Sequence, residues 1–134
     1  MFTLHHQLAK DCFLAGELPL SSLLLLNDSN YPWFILVPRI NNIREAFELS
    51  DDQQALLSKE SNGLSKAMSE VFDSDKMNVA ALGNQVSQLH VHHVARFKHD
   101  ASWPNPVWGA VPAKSYDTLD AQKVIEQLRQ KFTF

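Results

Sequence analysis

Gln88, His90, His92 and His93 place four imidazole or amide side chains within six consecutive residues. In a strand alternate residues share a face, so Gln88, His90 and His92 point one way while Leu89, Val91 and His93 point the other. Imidazole titrates near neutrality and offers both a donor and an acceptor, which makes such a face chemically dense. Three uses fit it. Two histidines on one face can hold a metal, but tetrahedral zinc wants further Cys, His or carboxylate ligands, and the neighbouring sequence supplies none. One imidazole can instead attack an electrophile while the other supplies a hydrogen bond or a proton. The third use is none at all: a partly exposed strand that happens to be rich in histidine. The residue pattern alone leaves all three open.

The elements that must position this strand follow from hydrophobic periodicity. Leu4, Leu8 and Cys12 recur at helical spacing and predict a short helix over 4–14, ended by Gly16. Leu18 to Leu26 reads as a strand, kinked near Pro19, and Asn27 to Pro32 is rich in turn formers. Trp33-Phe34-Ile35-Leu36-Val37 is a continuous apolar run closed by Pro38, the mark of a strand buried on both faces, so the two segments predict a hairpin. Ile43 to Phe47 predicts a helical turn. Ser50 followed by Gln53 forms a capping box, with Asp51 and Asp52 in the first turn. Leu57, Leu64, Met68 and Val71 then give one apolar face to a long helix ending near Phe72. Met77 to Leu82 and Val86 to Phe97 predict two strands joined by a turn at Gly83-Asn84-Gln85. A Pro-rich connection from Trp103 to Pro112 leads to a last helix starting near Asp117, with Ala121, Val124, Ile125 and Leu128 on one face. The order predicts an α+β protein, a sheet packed against helices.

Composition narrows the class of partner. The chain has 134 residues, 45% hydrophobic and 20% charged, and a formal charge of -3. It is long enough for one domain spanning residues 1–134 with a sizeable core, and no repeat or linker divides it. The net charge gives no basic surface for duplex nucleic acid, although a few aimed donors could still bind a phosphate. The single Cys12 rules out an intrachain disulfide framework and reads as a small buried hydrophobe. The start, Met1 to His6, lacks a basic segment followed by an apolar run, and Leu23 to Leu26 is too short to span a bilayer. A soluble, cytoplasmic protein with no membrane partner is expected.

The run Gly83-Asn84-Gln85-Val86-Ser87-Gln88-Leu89-His90-Val91-His92-His93-Val94-Ala95-Arg96 resembles the signature of the histidine-triad (HIT) family. That signature alternates three histidines with apolar residues, often after a Gly-Gln-Ser/Thr-Val segment and closely followed by Pro-Arg, where this chain has Ala95-Arg96. The resemblance extends to the hairpin, the long central helix and the strand pair. It implies the HIT-like fold, a mostly antiparallel five-stranded sheet packed with helices. It also implies a nucleotide hydrolase or nucleotidyl transferase that works without cofactor or metal. His90 falls on the middle histidine, the nucleophile toward the α-phosphorus, and His92 on the third, which bonds the phosphate and helps the leaving group depart. Gln88 stands where the family has its first histidine. Its main-chain carbonyl can still hold an imidazole, and its amide can donate to phosphate but cannot move a proton. Asn27 and Asp28 match the polar hairpin turn that meets the ribose, and Asn84 and Gln85 the phosphate donors ahead of the strand. Arg96 matches an arginine that reads equally as phosphate contact or structural ion pair, and Trp103 to Gly109 resembles a C-terminal Trp-Pro segment that approaches a partner subunit's site in some relatives.

The resemblance further implies a homodimer and a substrate of the dinucleoside polyphosphate or nucleoside phosphoramidate kind. The competing readings are a nucleotide-binding module in which Gln88 marks reduced catalysis, and a metal-dependent hydrolase using His90 and His92. His93 is expected to be structural, and His5, His6 and His99 to be solvated.

Overall fold

The computed structural model describes residues 1–134. Its elements are α1 (His6–Asp11), β1 (Cys12–Glu17), β2 (Ser21–Leu26), β3 (Trp33–Pro38), α2 (Asp51–Phe72), β4 (Lys76–Ala80), β5 (Val91–Arg96) and α3 (Thr118–Arg129). A 3-10 turn at Ala46–Glu48 precedes α2. The five strands form one sheet in the order β1-β2-β3-β5-β4, with every neighbouring pair antiparallel.

Alternation along β3 divides the core into two layers. Phe34 and Leu36 face α2 and α3, where they meet Leu64, Ala67 and Met68 of α2 and Ala121, Ile125 and Leu128 of α3. Trp33, Ile35 and Val37 face the other way, toward Leu8 of α1 and Val107 of the connection before α3. All six β3 residues are buried, so this central strand is apolar throughout, as its sequence predicts.

The capping box forms as expected: the Ser50 hydroxyl accepts from Gln53 N, and the Gln53 side chain accepts from Ser50 N. Such a cap stabilises a helix start by about 1 kcal/mol. At the other end Asp73 adopts the left-handed conformation (φ 52°) and ends α2.

Two elements differ most from the sequence-based expectation. The first helix stops at Asp11, and residues 12–17 are a strand rather than the end of a helix. Five of them pair with β2, and that ladder outweighs a weak helical periodicity. Gly16 is therefore not a helix cap. It lies at the register shift of β1, where a Cβ would meet the Phe134 ring at 2.5 Å. The histidine strand is also shorter, beginning at Val91 rather than Val86. Residues 81–90 approach it as irregular chain, fastened by Leu89 N to the Ile43 carbonyl at 2.8 Å. Hence Gln88 and His90 precede the ladder while His92 is within it.

Candidate active site

His92 lies on β5 opposite Ile35, on the face of the sheet away from α2. His90 follows onto the same side, and the two rings sit 4.8 Å apart, edge to face. Both residues are buried, at 5% and 7% exposure. Burial of two imidazoles makes their hydrogen bonds decisive, and the partners define each tautomer.

His90 Nδ1 lies 2.7 Å from the Gln88 carbonyl. A carbonyl only accepts, so Nδ1 carries the proton and Nε2 keeps its lone pair. His92 is arranged the opposite way. The Trp33 indole N–H, which can only donate, points at His92 Nδ1 at 2.9 Å. His92 Nε2 therefore carries its proton, facing the Leu82 carbonyl at 3.2 Å. One ring thus presents a nucleophilic nitrogen and its neighbour an N–H donor. Burial lowers the pKa of His90, against the pull of the Gln88 carbonyl. Burial and the neighbouring His90 lower that of His92 to about 4. Both rings are neutral at pH 7.

The pair opens on a cleft of about 410 Å³. Leu8, Leu26 and Val86 give it apolar walls together with the indoles of Trp33 and Trp108. Trp108 stands 5.4 Å from the His92 ring and 5.7 Å from Trp33, each contact edge to face. Its indole N–H is buried and meets no acceptor in the protein. Asn84, Gln85 and Asp11 supply the polar rim. Gly83 permits the loop to pass close beneath the pair, since a Cβ there would lie 3.3 Å from His90 Cε1. His90 also borders a smaller recess of about 110 Å³, lined by Arg44, Glu45, Asn84 and Ser87.

Three of the expected site residues, Gln88, Asn27 and Asp28, are placed differently. The Gln88 amide turns to the N-terminal segment, accepting from His5 N at 2.8 Å and donating to the Thr3 carbonyl at 2.9 Å. Only its main-chain carbonyl serves the histidine pair, because both ends of the side chain are occupied elsewhere. Asn27 and Asp28 fasten the chain before α3: Asn27 accepts from Tyr116 N, and Asp28 from Lys114 N and Asn30 N. Neither lines the cleft. Asp11, Trp33 and Trp108 do line it; nothing in the sequence marks Asp11, and the resemblance sets Trp108 in a segment expected at a partner subunit's site. Trp33 carried a signal, an indole on the same strand face as Ile35, but only the β3–β5 register aims it at His92.

Arg96 takes the structural role. Its guanidinium is 1% exposed, pairs with Asp100 at 2.8 Å, and donates to Asn78 and to the Asn105 carbonyl. The rings of Tyr31 and Trp103 each lie 5.6 Å from it. Trp103 thereby anchors the connection that carries Trp108 into the cleft.

His93 faces the opposite layer, fully buried, with Nδ1 toward the Val91 carbonyl at 3.0 Å and Nε2 accepting from the Ser61 hydroxyl at 2.7 Å. Burial lowers its pKa to about 4. A histidine with a lowered folded pKa binds its proton more readily when unfolded, so it withdraws stability as pH falls from 6.5 toward 4. The thermal midpoint should therefore drop between pH 7 and pH 4.5, and His93→Gln should flatten that slope in a pH series of melting curves. His5 is not simply solvated either, since it caps α1 by accepting from Gln7 N.

A five-stranded antiparallel sheet that offers two buried, oppositely tautomeric histidines to an indole-lined cleft defines a histidine-triad type of site. Comparison with known proteins agrees. The HIT domain model matches residues 7–99, and the chain belongs to the HIT family, whose members are generally nucleotide-binding hydrolases or transferases. Among solved structures the chain is similar to a histidine triad protein from Marinobacter aquaeolei, at 48% identity over 98% of this chain and 99% of that one, with a TM-score of 0.94. It is similar to another from Bradyrhizobium japonicum, at 45% identity over 97% of both chains and a TM-score of 0.94. A third, from Sinorhizobium meliloti, is 37% identical over 98% and 97%, with a TM-score of 0.96. Comparison with curated proteins gives no match. No helix is long and apolar enough to cross a membrane.

Proposed function

We propose that this protein hydrolyses or transfers nucleotides bearing a good leaving group, through a nucleotidyl intermediate on His90. The observation that carries the reading is the pair of opposite tautomers. His90 Nε2 is free to attack the α-phosphorus while His92 Nε2–H donates to a phosphate oxygen, exchanging the 3.2 Å contact with Leu82 for a charged acceptor. Attack forms the N–P bond as the bond to the leaving group breaks, and the leaving group departs with that electron pair. The His90 ring then carries a positive charge, which strengthens its Nδ1–H bond to the Gln88 carbonyl. Water next attacks phosphorus and gives its proton to solvent, and the electron pair of the N–P bond returns to His90 Nε2. The indole-lined wall of the cleft suits a base, and the Trp108 N–H beside it is a donor without an acceptor in the protein. In this reading the Asp11 carboxylate meets ribose hydroxyls and the Asn84 and Gln85 amides meet phosphate, since all three line the cleft.

The test is to mix the protein with a diadenosine polyphosphate or an adenosine phosphoramidate in the presence of chelator, and to trap the intermediate by rapid acid quench. AMP release with an AMP adduct on His90 supports the reading. Chelator-sensitive release favours a metal-dependent route through His90 and His92. Binding of AMP without turnover of any substrate favours a nucleotide-binding module.

The reading includes a homodimer working in the cytoplasm. β4 is an edge strand, and Phe47, Val79 and Leu82 are large exposed apolar side chains on that half of the molecule. Sedimentation at twice the 15.2 kDa chain mass is the expected result.

A further inference from the structure

The bond between Trp33 and His92 constrains more than the orientation of a ring. Consider what His92 can give to a departing group. Its Nδ1 is taken by an indole N–H, which donates a hydrogen bond but holds its own proton at any accessible pH. Were Nε2–H to pass its proton outright, the ring would be left as an imidazolate with no proton to recover from Nδ1. The alternative, an imidazolium acid with both nitrogens protonated, would set Nδ1–H against the indole N–H at 2.9 Å. Trp33 is itself 5% exposed and wedged edge-on against Tyr31 and Trp108, so the indole has no room to turn aside. The charged or titratable groups near the ring are His90 and the cleft's Asp11, and the direct contacts of His92 are Trp33, Trp108 and the Leu82 carbonyl.

We infer that Trp33 is a positioning residue that restricts this site to leaving groups able to depart without a proton, the phosphoanhydride class, and discriminates against phosphoramidates of alkylamines. The inference rests on the reaction proposed above and deepens it. A polyphosphate leaves as a stable oxyanion and needs only hydrogen bonds and charge. An alkylamine expelled from phosphorus needs a proton delivered in the same step. General acid catalysis typically contributes about 10²–10⁴-fold, so its absence separates the two classes sharply. The smaller recess bordering His90 agrees with this. It is bordered by Arg44, which takes part in none of the chain's four ion pairs, although Glu45 shares the same rim. A charged leaving group is suited to such a recess, whose lining is mostly polar, with only Ala81 and Leu89 as apolar side chains.

The experiment compares kcat/KM for a diadenosine polyphosphate with that for adenosine 5′-phosphoramidates of alkylamines, in the intact protein and in Trp33→Phe. Long-range proton–nitrogen NMR reads the His92 tautomer in parallel. Intact protein should favour the polyphosphate by ~100-fold or more, and Trp33→Phe should narrow that ratio at least ~10-fold by freeing Nδ1. The spectrum of the intact protein should show His92 with an unprotonated Nδ1 and a protonated Nε2 through neutral pH. In Trp33→Phe both tautomers should appear. Comparable turnover of alkylamine phosphoramidates by the intact protein, or a protonated Nδ1 on His92, overturns the inference while leaving nucleotidyl transfer on His90 intact. Should Trp33→Phe fail to fold, the substrate ratio and tautomer of the intact protein still decide. No turnover of either class and no adduct on His90 overturns both readings together.

Discussion

His90→Ala should abolish turnover of every nucleotide substrate, lowering kcat by roughly 10⁴-fold or more, the scale seen when a covalent nucleophile is removed. The reason lies in what surrounds the ring. Nδ1–H is committed to the Gln88 carbonyl and burial keeps the ring neutral, so Nε2 is the one nitrogen of the pair with an available lone pair. His92 cannot substitute for it, because its Nδ1 lone pair points at Trp33 and its Nε2 bears hydrogen. His92→Ala should be milder, about 10²-fold, since it removes one donor to the phosphate and leaves the nucleophile in place. Steady-state rates on a diadenosine polyphosphate, with AMP affinity measured on the same variants, check both. If His90→Ala keeps more than a few per cent of the rate while His92→Ala loses it all, the assignment of nucleophile is reversed.

Gln88 shows where sequence reasoning succeeds and where it stops. Its carbonyl was legible as the acceptor for His90, because that contact depends only on a main-chain atom two residues away. Its amide was not legible. Alternation set it on the face of His90 and His92, but the strand begins at Val91, so alternation has no force at residue 88. The amide instead matches one donor and one acceptor of the N-terminal segment, Thr3 and His5. A histidine of either tautomer also carries one donor and one acceptor, but in a rigid ring rather than on adjacent atoms of a flat amide. The departure from three histidines is thus tied to how residues 3–5 are held.

Elements governed by local chemistry were legible in the same way. The capping box at Ser50, the apolar face of α2 and the doubly buried β3 all follow from spacing within a single segment. β1 did not, because residues 12–17 become a strand through pairing with β2, and the helical spacing of Leu4, Leu8 and Cys12 runs into its start. Asn27 and Asp28 find partners within the chain for a related reason. A turn rich in side-chain acceptors looks like a ligand site, yet Tyr116 and Lys114 arrive from almost ninety residues away to use those acceptors. Trp33 is the strongest case. Only the register that sets Trp33 opposite Val94 makes His92 its diagonal neighbour, within reach of an indole.

Asp100→Ala should be the most destabilising single change outside the apolar core, costing about 3–5 kcal/mol. One carboxylate here accepts from Arg96 through two guanidinium nitrogens and from the backbone N–H groups of Phe97, Ser102 and Trp103. Burial alone would raise the Asp100 pKa, but these donors hold it well below the usual carboxylate range. The sign matters for the acid limb of stability. A carboxylate with a lowered folded pKa contributes above its unfolded value near 3.8 and loses that contribution only as pH falls further. Asp100 is therefore fully ionised across the window in which His92 and His93 withdraw stability, and the two effects separate along the pH axis. Truncation leaves the Arg96 guanidinium, 1% exposed, with only the Asn78, Ser102 and Asn105 oxygens to answer its charge. The melting temperature should fall by roughly 10 °C or more. Because Trp103 packs on that guanidinium and leads to Trp108, nucleotide affinity should weaken even well below the melting transition. Asp100→Asn keeps one oxygen acceptor and should recover part of the stability; equal losses in both variants would show that the charge itself, not the acceptor geometry, organises the loop. A melting temperature unchanged in Asp100→Ala would mean that residues 100–105 are held by the two rings flanking Arg96 and not by the buried ion pair.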